Sequence, residues 1–423
     1  MSTLSDVAEW MAEQLPTLIE KYDVPAAAVA VLAGGEVVDA AAGVLHKGTG
    51  VEATPDSVFQ IGSITKLWTS TLVMQLVDDG LVDLDAPIRT YLPEFRIADE
   101  EAAAVITIRM LLSHTAGFEG DIFTDTGVGD DCVEKYLAVL HDVPQLFPAG
   151  EQFSYNNAGF CVLGRLVEVM RDKTYDACLR DHLFAPLGLT HAATGPYEAI
   201  MFRAAMGHIE LDPATGFQPA PVWALARSNS PAGAMLAMRP RDLVAFAEMH
   251  LNDGKATDGT QVLAPGTAGR MHERQVDLPY LGVMGDSWGL GFEIFNAATG
   301  PIIGHDGSTI GQNAFLRMVP EAGVAVALLT TVATPCRCTT RSWVASSPRS
   351  PTPNCRRSPR PPPSRSASTP AGSSGRTPPR SPTWRSSRRT TGRSGSLRPR
   401  RGCSRSWASS RSAASSCTSA ATA

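Results

Sequence analysis

The sequence predicts an α+β fold: an antiparallel sheet flanked by helices, with a helical insert. Three observations carry this reading. Strand-patterned segments stand near both ends of residues 1–334, and helical apolar stripes with Gly/Pro-marked loops fill the span between. The strands also come in pairs joined by turn residues, Gly34-Gly35 early and Pro320-Glu321-Ala322-Gly323 late. Strands at the two ends with helices between them fit a sheet closed by N- and C-terminal pieces, one face covered by the insert.

The elements follow in order. Leu4, Val7, Trp10, Met11, Leu15, Leu18 and Ile19 recur at helical spacing over residues 4–21. Ala27–Leu32 and Val37–Ala42 read as two strands of a hairpin. After Gly62, an apolar stripe (Ile64, Leu67, Leu72, Val73, Leu76) marks a helix over 63–77, ended by Asp78-Asp79-Gly80. Residues 81–230 alternate short helices with long loops, among them an apolar helix from Ala158 to Met170. Arg239–Leu251 is a further amphipathic helix. Ile302-Ile303, Ala314–Val319 and Val324–Thr331 return to strand pattern.

The formal net charge of −5 hides two unlike parts. Residues 335–423 hold 18 arginines and no Asp, Glu, Lys or His. That leaves 19 of the 37 basic residues against all 42 acidic ones in residues 1–334, a net of −23. An acidic body argues against a nucleic-acid partner, because phosphate contacts need clustered Lys and Arg. Cys132, Cys161 and Cys178 have no metal-ligand spacing, no H-E-x-x-H is present, and buried thiols are the expectation. No cofactor or metal is implied. The first residues lack a basic segment followed by an apolar one, and the longest apolar run, Ala26–Ala33, is too short to span a bilayer. The reading is a cytoplasmic protein without a membrane partner.

Three short segments carry chemistry. Ser63-Ile64-Thr65-Lys66 puts an amine three residues from a hydroxyl, on one helix face. A serine hydroxyl needs a nearby base, and a lysine can be that base only if desolvation or a cationic neighbour lowers its pKa. At a helix start, the Ser63 N–H could also receive a developing oxyanion. Tyr155-Asn156-Asn157 offers a phenol to share a proton with Lys66 and an amide to hold Lys66 and the substrate. Gly304-His305-Asp306-Gly307-Ser308 offers small residues at a strand edge, with the Ser308 N–H as second oxyanion donor. Alternation on a strand sends His305 and Asp306 to opposite faces, so they are not a dyad.

Together, in this order and spacing, the three segments resemble the serine β-lactamase and penicillin-binding protein superfamily. Motifs of its class A enzymes are S-x-x-K, S-D-N and K-T-G. Here Tyr155-x-Asn157 stands in place of S-D-N, which is similar to class C β-lactamases, D-alanyl-D-alanine carboxypeptidases and family VIII esterases. Phe59-Gln60-Ile61-Gly62, Leu111-Leu112-Ser113-His114-Thr115-Ala116-Gly117 and Trp288-Gly289-Leu290-Gly291-Phe292 resemble the same group. The resemblance covers residues 5–334 and implies a β-lactamase/transpeptidase-like fold and a small-molecule ester, amide or β-lactam substrate. It implies Ser63 as nucleophile, Lys66 as base and Tyr155 as proton shuttle. Asn157, His305, Gly307 and Ser308 would bind substrate, with the Ser63 and Ser308 amides as oxyanion hole. His305 stands where the family often has lysine. A histidine titrating near neutrality would grip a carboxylate more weakly and pH-dependently, which favours esterase or peptidase-like work over β-lactam hydrolysis. His114 is expected to be a packed histidine. Two further readings stay open: a catalytically silent, penicillin-binding-like peptide binder, and a non-functional product of a damaged frame.

From Pro335 the text turns to Ser, Arg, Pro and Thr. Residues 335–423 read as a disordered basic tail or as a frameshifted remnant of a closing helix and an appended β domain. Frameshift is favoured. Back-translated with GC-rich codons and read two bases along, Cys336–Pro351 gives an amphipathic helix pattern and Ser381–Ser394 a strand-and-turn pattern. Losing such a helix would forfeit about 1.5–3 kcal/mol per large side chain left unburied, and poor stability is the expectation.

Overall fold

The computed structural model describes residues 3–332, save 282 and 299. The boundary expected at 334/335, and both readings of the tail, lie outside the described residues. The described residues all fall in one compact unit.

The chain opens with helix α1, Leu4–Lys21, capped by a reciprocal pair in which Thr3 accepts from the Asp6 N–H and Asp6 from the Thr3 N–H. Among the described residues a nine-stranded antiparallel sheet follows, built from the two ends of that stretch. Its strands are β1 (Ala26–Ala33), β2 (Glu36–His46), β3 (Val51–Glu52), β4 (Val276–Asp277), β5 (Ser287–Trp288), β6 (Glu293–Ala297), β7 (Gly300–Thr309), β8 (Gln312–Val319) and β9 (Val324–Thr330). Their order is β3-β2-β1-β9-β8-β7-β6-β5-β4. The first strand thus pairs with the last, Ala27 opposite Thr330 through Ala33 opposite Val324.

Alternation explains the layering. Ala26, Ala28, Ala30 and Leu32 of β1 face the main core, while Ala27 and Val29 face Met11 and Leu15 of α1. Strand β8 alternates buried (Ala314, Leu316, Met318) with half-buried residues. On the core side lies the helical insert: α2 (Thr65–Asp78), α3 (Asn157–Arg171) and α4 (Pro240–Leu251). Every residue of α2 from Thr65 to Met74 is buried, which makes it the central helix of the domain. Trp68 fixes its depth by stacking on Phe246 of α4 at 4.2 Å and meeting Phe184 edge-on at 5.7 Å. The expected α+β architecture is the one observed. One detail differs: Ser63 lies in a 3-10 turn, Gly62–Ile64, and the α-helix begins only at Thr65. Ile61 and Gly62, pressed against β7, hold the chain out of α geometry there.

Candidate active site

Lys66 rises from the first turn of α2 and is fully buried, whereas Ser63 stays partly exposed. The Lys66 Nζ donates to Ser63 Oγ at 3.0 Å, to Asn157 Oδ1 at 2.7 Å and to the Ala232 carbonyl at 2.7 Å. These three acceptors take all three hydrogens of an ammonium. Burial pushes its pKa down from 10.5 to about 7, while Asp121 pulls the other way. Once neutral, the amine keeps two hydrogens, for Asn157 and Ala232, and turns its lone pair to Ser63.

Tyr155 ends the loop before α3. Its neighbour Asn156 caps that helix by accepting from the Gly159 N–H at 2.6 Å and ties the loop down by donating to the Phe118 carbonyl at 2.8 Å. The Tyr155 ring lies 4.8 Å from the Lys66 Nζ, and the Ser63 hydroxyl is near enough to its phenol to offset part of the rise in the phenol's pKa. Tyr155 and Lys66 thus stand close to each other and to the serine hydroxyl. Burial raises the phenol well above its usual range, and Glu293, Asp121 and Asp306 add to the rise. The group is a neutral donor at neutral pH, and Lys66 is the weaker-held proton of the two.

His114 is packed, as expected. Its Nδ1 accepts from the Asn156 N–H at 2.9 Å, and its ring stacks on Tyr155 at 4.4 Å. Burial holds it well below its usual pKa. It adopts φ +58°, an uncommon conformation off glycine, which aims the ring at the tyrosine.

Strand β7 supplies the other wall. Its pairing to β6 stops at Gly304 opposite Glu293, so beyond that point one edge is free of β6. Gly307 and Gly62 are there because nothing larger fits. A Cβ on Gly307 would run into the Ile61 carbonyl and come within 3.1 Å of the Ser63 nitrogen. A Cβ on Gly62 would sit 2.5 Å from the Ser308 nitrogen. The close approach brings the Ser63 and Ser308 amides side by side, with Ser308 itself exposed.

His305 needs correction. It is 1% exposed, donates from Nδ1 to the Asp306 carbonyl at 2.5 Å, and meets Trp288 edge-on at 5.3 Å. Burial first, then Lys66, pushes its pKa down to about 3. It is a neutral wall at physiological pH and does not titrate near neutrality. Behind it, Glu293 is buried 3.8 Å from both the His305 Nδ1 and Arg317. Burial, with Asp306 next, pushes that carboxyl up to about 8.

Three participants escaped sequence reasoning. The Ala232 carbonyl carries no sequence signal. Asp121, accepting from Asn157 Nδ2 at 2.8 Å, sits in a loop without a motif. Glu293 is an acid whose burial only the fold reveals. No group of three or more His, Cys, Asp or Glu side chains that could hold a metal ion occurs among the described residues. No described helix is long and apolar enough to cross a membrane.

Comparison with known proteins adds the family. Over 328 residues the chain is 46% identical to penicillin-binding protein 4 of Amycolatopsis lactamdurans, covering 77% of this chain and 85% of that one. Among solved structures, it superposes on SurE with a TM-score of 0.67 and 29% identity, over 78% of this chain and 73% of that one. The D-amino acid amidase from Ochrobactrum anthropi SV3, solved with D-phenylalanine, gives a TM-score of 0.65 and 25% identity over 77% and 92%. The family model described as Beta-lactamase matches residues 8–346, and the chain belongs to the β-lactamase family.

Proposed function

We propose that the protein is a serine hydrolase that forms an acyl-enzyme at Ser63 and acts on esters, D-amino-acid peptides or β-lactams. The observation that carries this is the Lys66 amine, 3.0 Å from the Ser63 hydroxyl and lowered to about 7. A general base works best with a pKa near the operating pH.

In acylation the Lys66 lone pair takes the Ser63 proton, and Oγ bonds to the substrate carbonyl carbon. The resulting oxyanion is received by the Ser63 and Ser308 amides. The intermediate collapses by breaking the bond to the leaving group. That group takes the proton from the Lys66 ammonium by way of the Tyr155 hydroxyl. In deacylation a water loses a proton to the same base and attacks the acyl carbon, and Ser63 Oγ departs with the proton restored. Asn157 keeps Lys66 aimed throughout, and Gly307 leaves room for the acyl group along β7.

The test uses p-nitrophenyl butyrate, a chromogenic cephalosporin and a fluorescent penicillin on wild type and Ser63→Ala. Turnover and labelling should vanish in the variant, and intact-mass spectrometry should show an acyl adduct on the peptide holding Ser63. Equal turnover in both proteins would sink the proposal. The ratio of ester to cephalosporin turnover then separates the substrate classes.

A further inference from the structure

We infer that Asp121 is a specificity-determining residue that selects substrates carrying a free ammonium group on the acyl side of the scissile bond. The inference rests on acyl transfer at Ser63 and names the substrate class that this site prefers.

The first support is position. Asp121 Oδ1 accepts from Asn157 Nδ2 at 2.8 Å, and Asn157 Oδ1 in turn accepts from Lys66. The carboxylate is thus tied to the base that serves Ser63, yet the residue is exposed at the mouth of the site. Among the described residues its second oxygen has no partner.

The second support is rigidity. The loop carrying Asp121 is pinned on both sides by its backbone. The Ala158 N–H donates to the Gly120 carbonyl at 2.9 Å. The Ile122 carbonyl accepts from the Tyr136 hydroxyl at 2.6 Å and from Asn229 Nδ2 at 3.0 Å. Ser228 Oγ holds the Thr124 carbonyl at 2.8 Å. A carboxylate fixed this way loses little freedom on meeting a ligand.

The third support is charge. A substrate carboxylate would need a cation, and among the described residues the two basic side chains of this wall, His305 and Arg317, are engaged elsewhere. His305 is buried and neutral, and Arg317 is paired with Asp306 at 2.6 Å while donating to the Leu316 carbonyl at 2.9 Å. Glu293 holds a proton at neutral pH and Asp306 is paired with Arg317, so Asp121 is the carboxylate left to meet a ligand on this side of the site. A carboxylate there attracts an ammonium and repels a carboxylate.

The test compares D-alanine methyl ester with its N-acetyl counterpart, in wild type, Asp121→Asn and Asp121→Glu. Wild type should favour the free amine by about 10- to 100-fold in kcat/KM, the worth of one charge-assisted hydrogen bond. Asp121→Asn should collapse that ratio, chiefly through KM of the amine, and Asp121→Glu should restore part of it. General damage cancels in the ratio. Wild type turning over both esters equally, or Asp121→Asn slowing both alike, overturns the inference and leaves Ser63 chemistry standing. Ester turnover independent of Ser63 would instead bring down the acyl-transfer reading beneath it. Should Asp121→Asn not fold, Asp121→Ser removes the same charge and is read by the same ratio.

Discussion

At the scale of single residues, the site turns on how burial moves protons. Burial holds Lys66 at about 7, well below a free lysine, so kcat/KM on a neutral ester should rise through about pH 7 as the amine loses its proton. A pH–rate profile flat from 5 to 9 would contradict this. The same shift has a stability consequence. Between about 7 and the unfolded lysine value, the unfolded chain binds the proton and the folded one does not. Wild type should therefore gain stability with rising pH in that window, at up to about 1.4 kcal/mol per unit, and Lys66→Met should lack the gain. Urea midpoints at pH 6.5 and 10 check it. Glu293 runs the opposite way, being raised to about 8. Its folded state holds a proton that the unfolded state has lost from about pH 4.5 upward, so stability drains away as pH climbs to 8. Glu293→Gln should melt higher than wild type at pH 9, with the gap closing toward pH 4. That Ser63, Lys66, Tyr155 and Asn157 belong together was suggested by the family resemblance of their segments, and the fold brings the four into one place. His305 was expected to titrate near neutrality because nothing in the letters shows its burial, and only the packing of Trp288 and Glu293 around it does.

At the scale of elements, the decisive contact is the turn Gly62–Ile64 against β7. Gly307→Ala should push the turn from the strand and separate the two amides. Activity should fall by about 100-fold, the order of effect of losing one oxyanion donor. Circular dichroism should stay that of a folded protein, and activity within a few-fold of wild type would show the approach to be unnecessary. The long elements were readable. Apolar periodicity located α1, α3 and α4 and the strands β8 and β9 to within a residue or two. The two-residue strands β3, β4 and β5 were not, since two residues carry no alternation. The 3-10 start at Ser63 was also hidden, because its cause is a strand almost 250 residues away in the sequence.

At the scale of the whole molecule, closure of the sheet by both chain ends was foreseen, but its strand order was not. Nothing in the letters of β1 says that β9 will be its neighbour. Only the double-sided burial of Ala26–Ala30 hints that it lies inside the sheet. This pairing dictates a timetable. While a ribosome is still making the chain, β1 emerges near residue 30 and has one free edge until Val324–Thr330 arrive. The hairpin β1–β2 must wait, alanine-rich and half-zipped, until residue 330 of the 423 has been made. Such sequence-distant closure makes for slow acquisition of structure and a long exposure to wrong partners. A nascent chain stalled before Val324 should thus remain protease-sensitive over its first fifty residues, and one stalled well beyond Thr330 should resist.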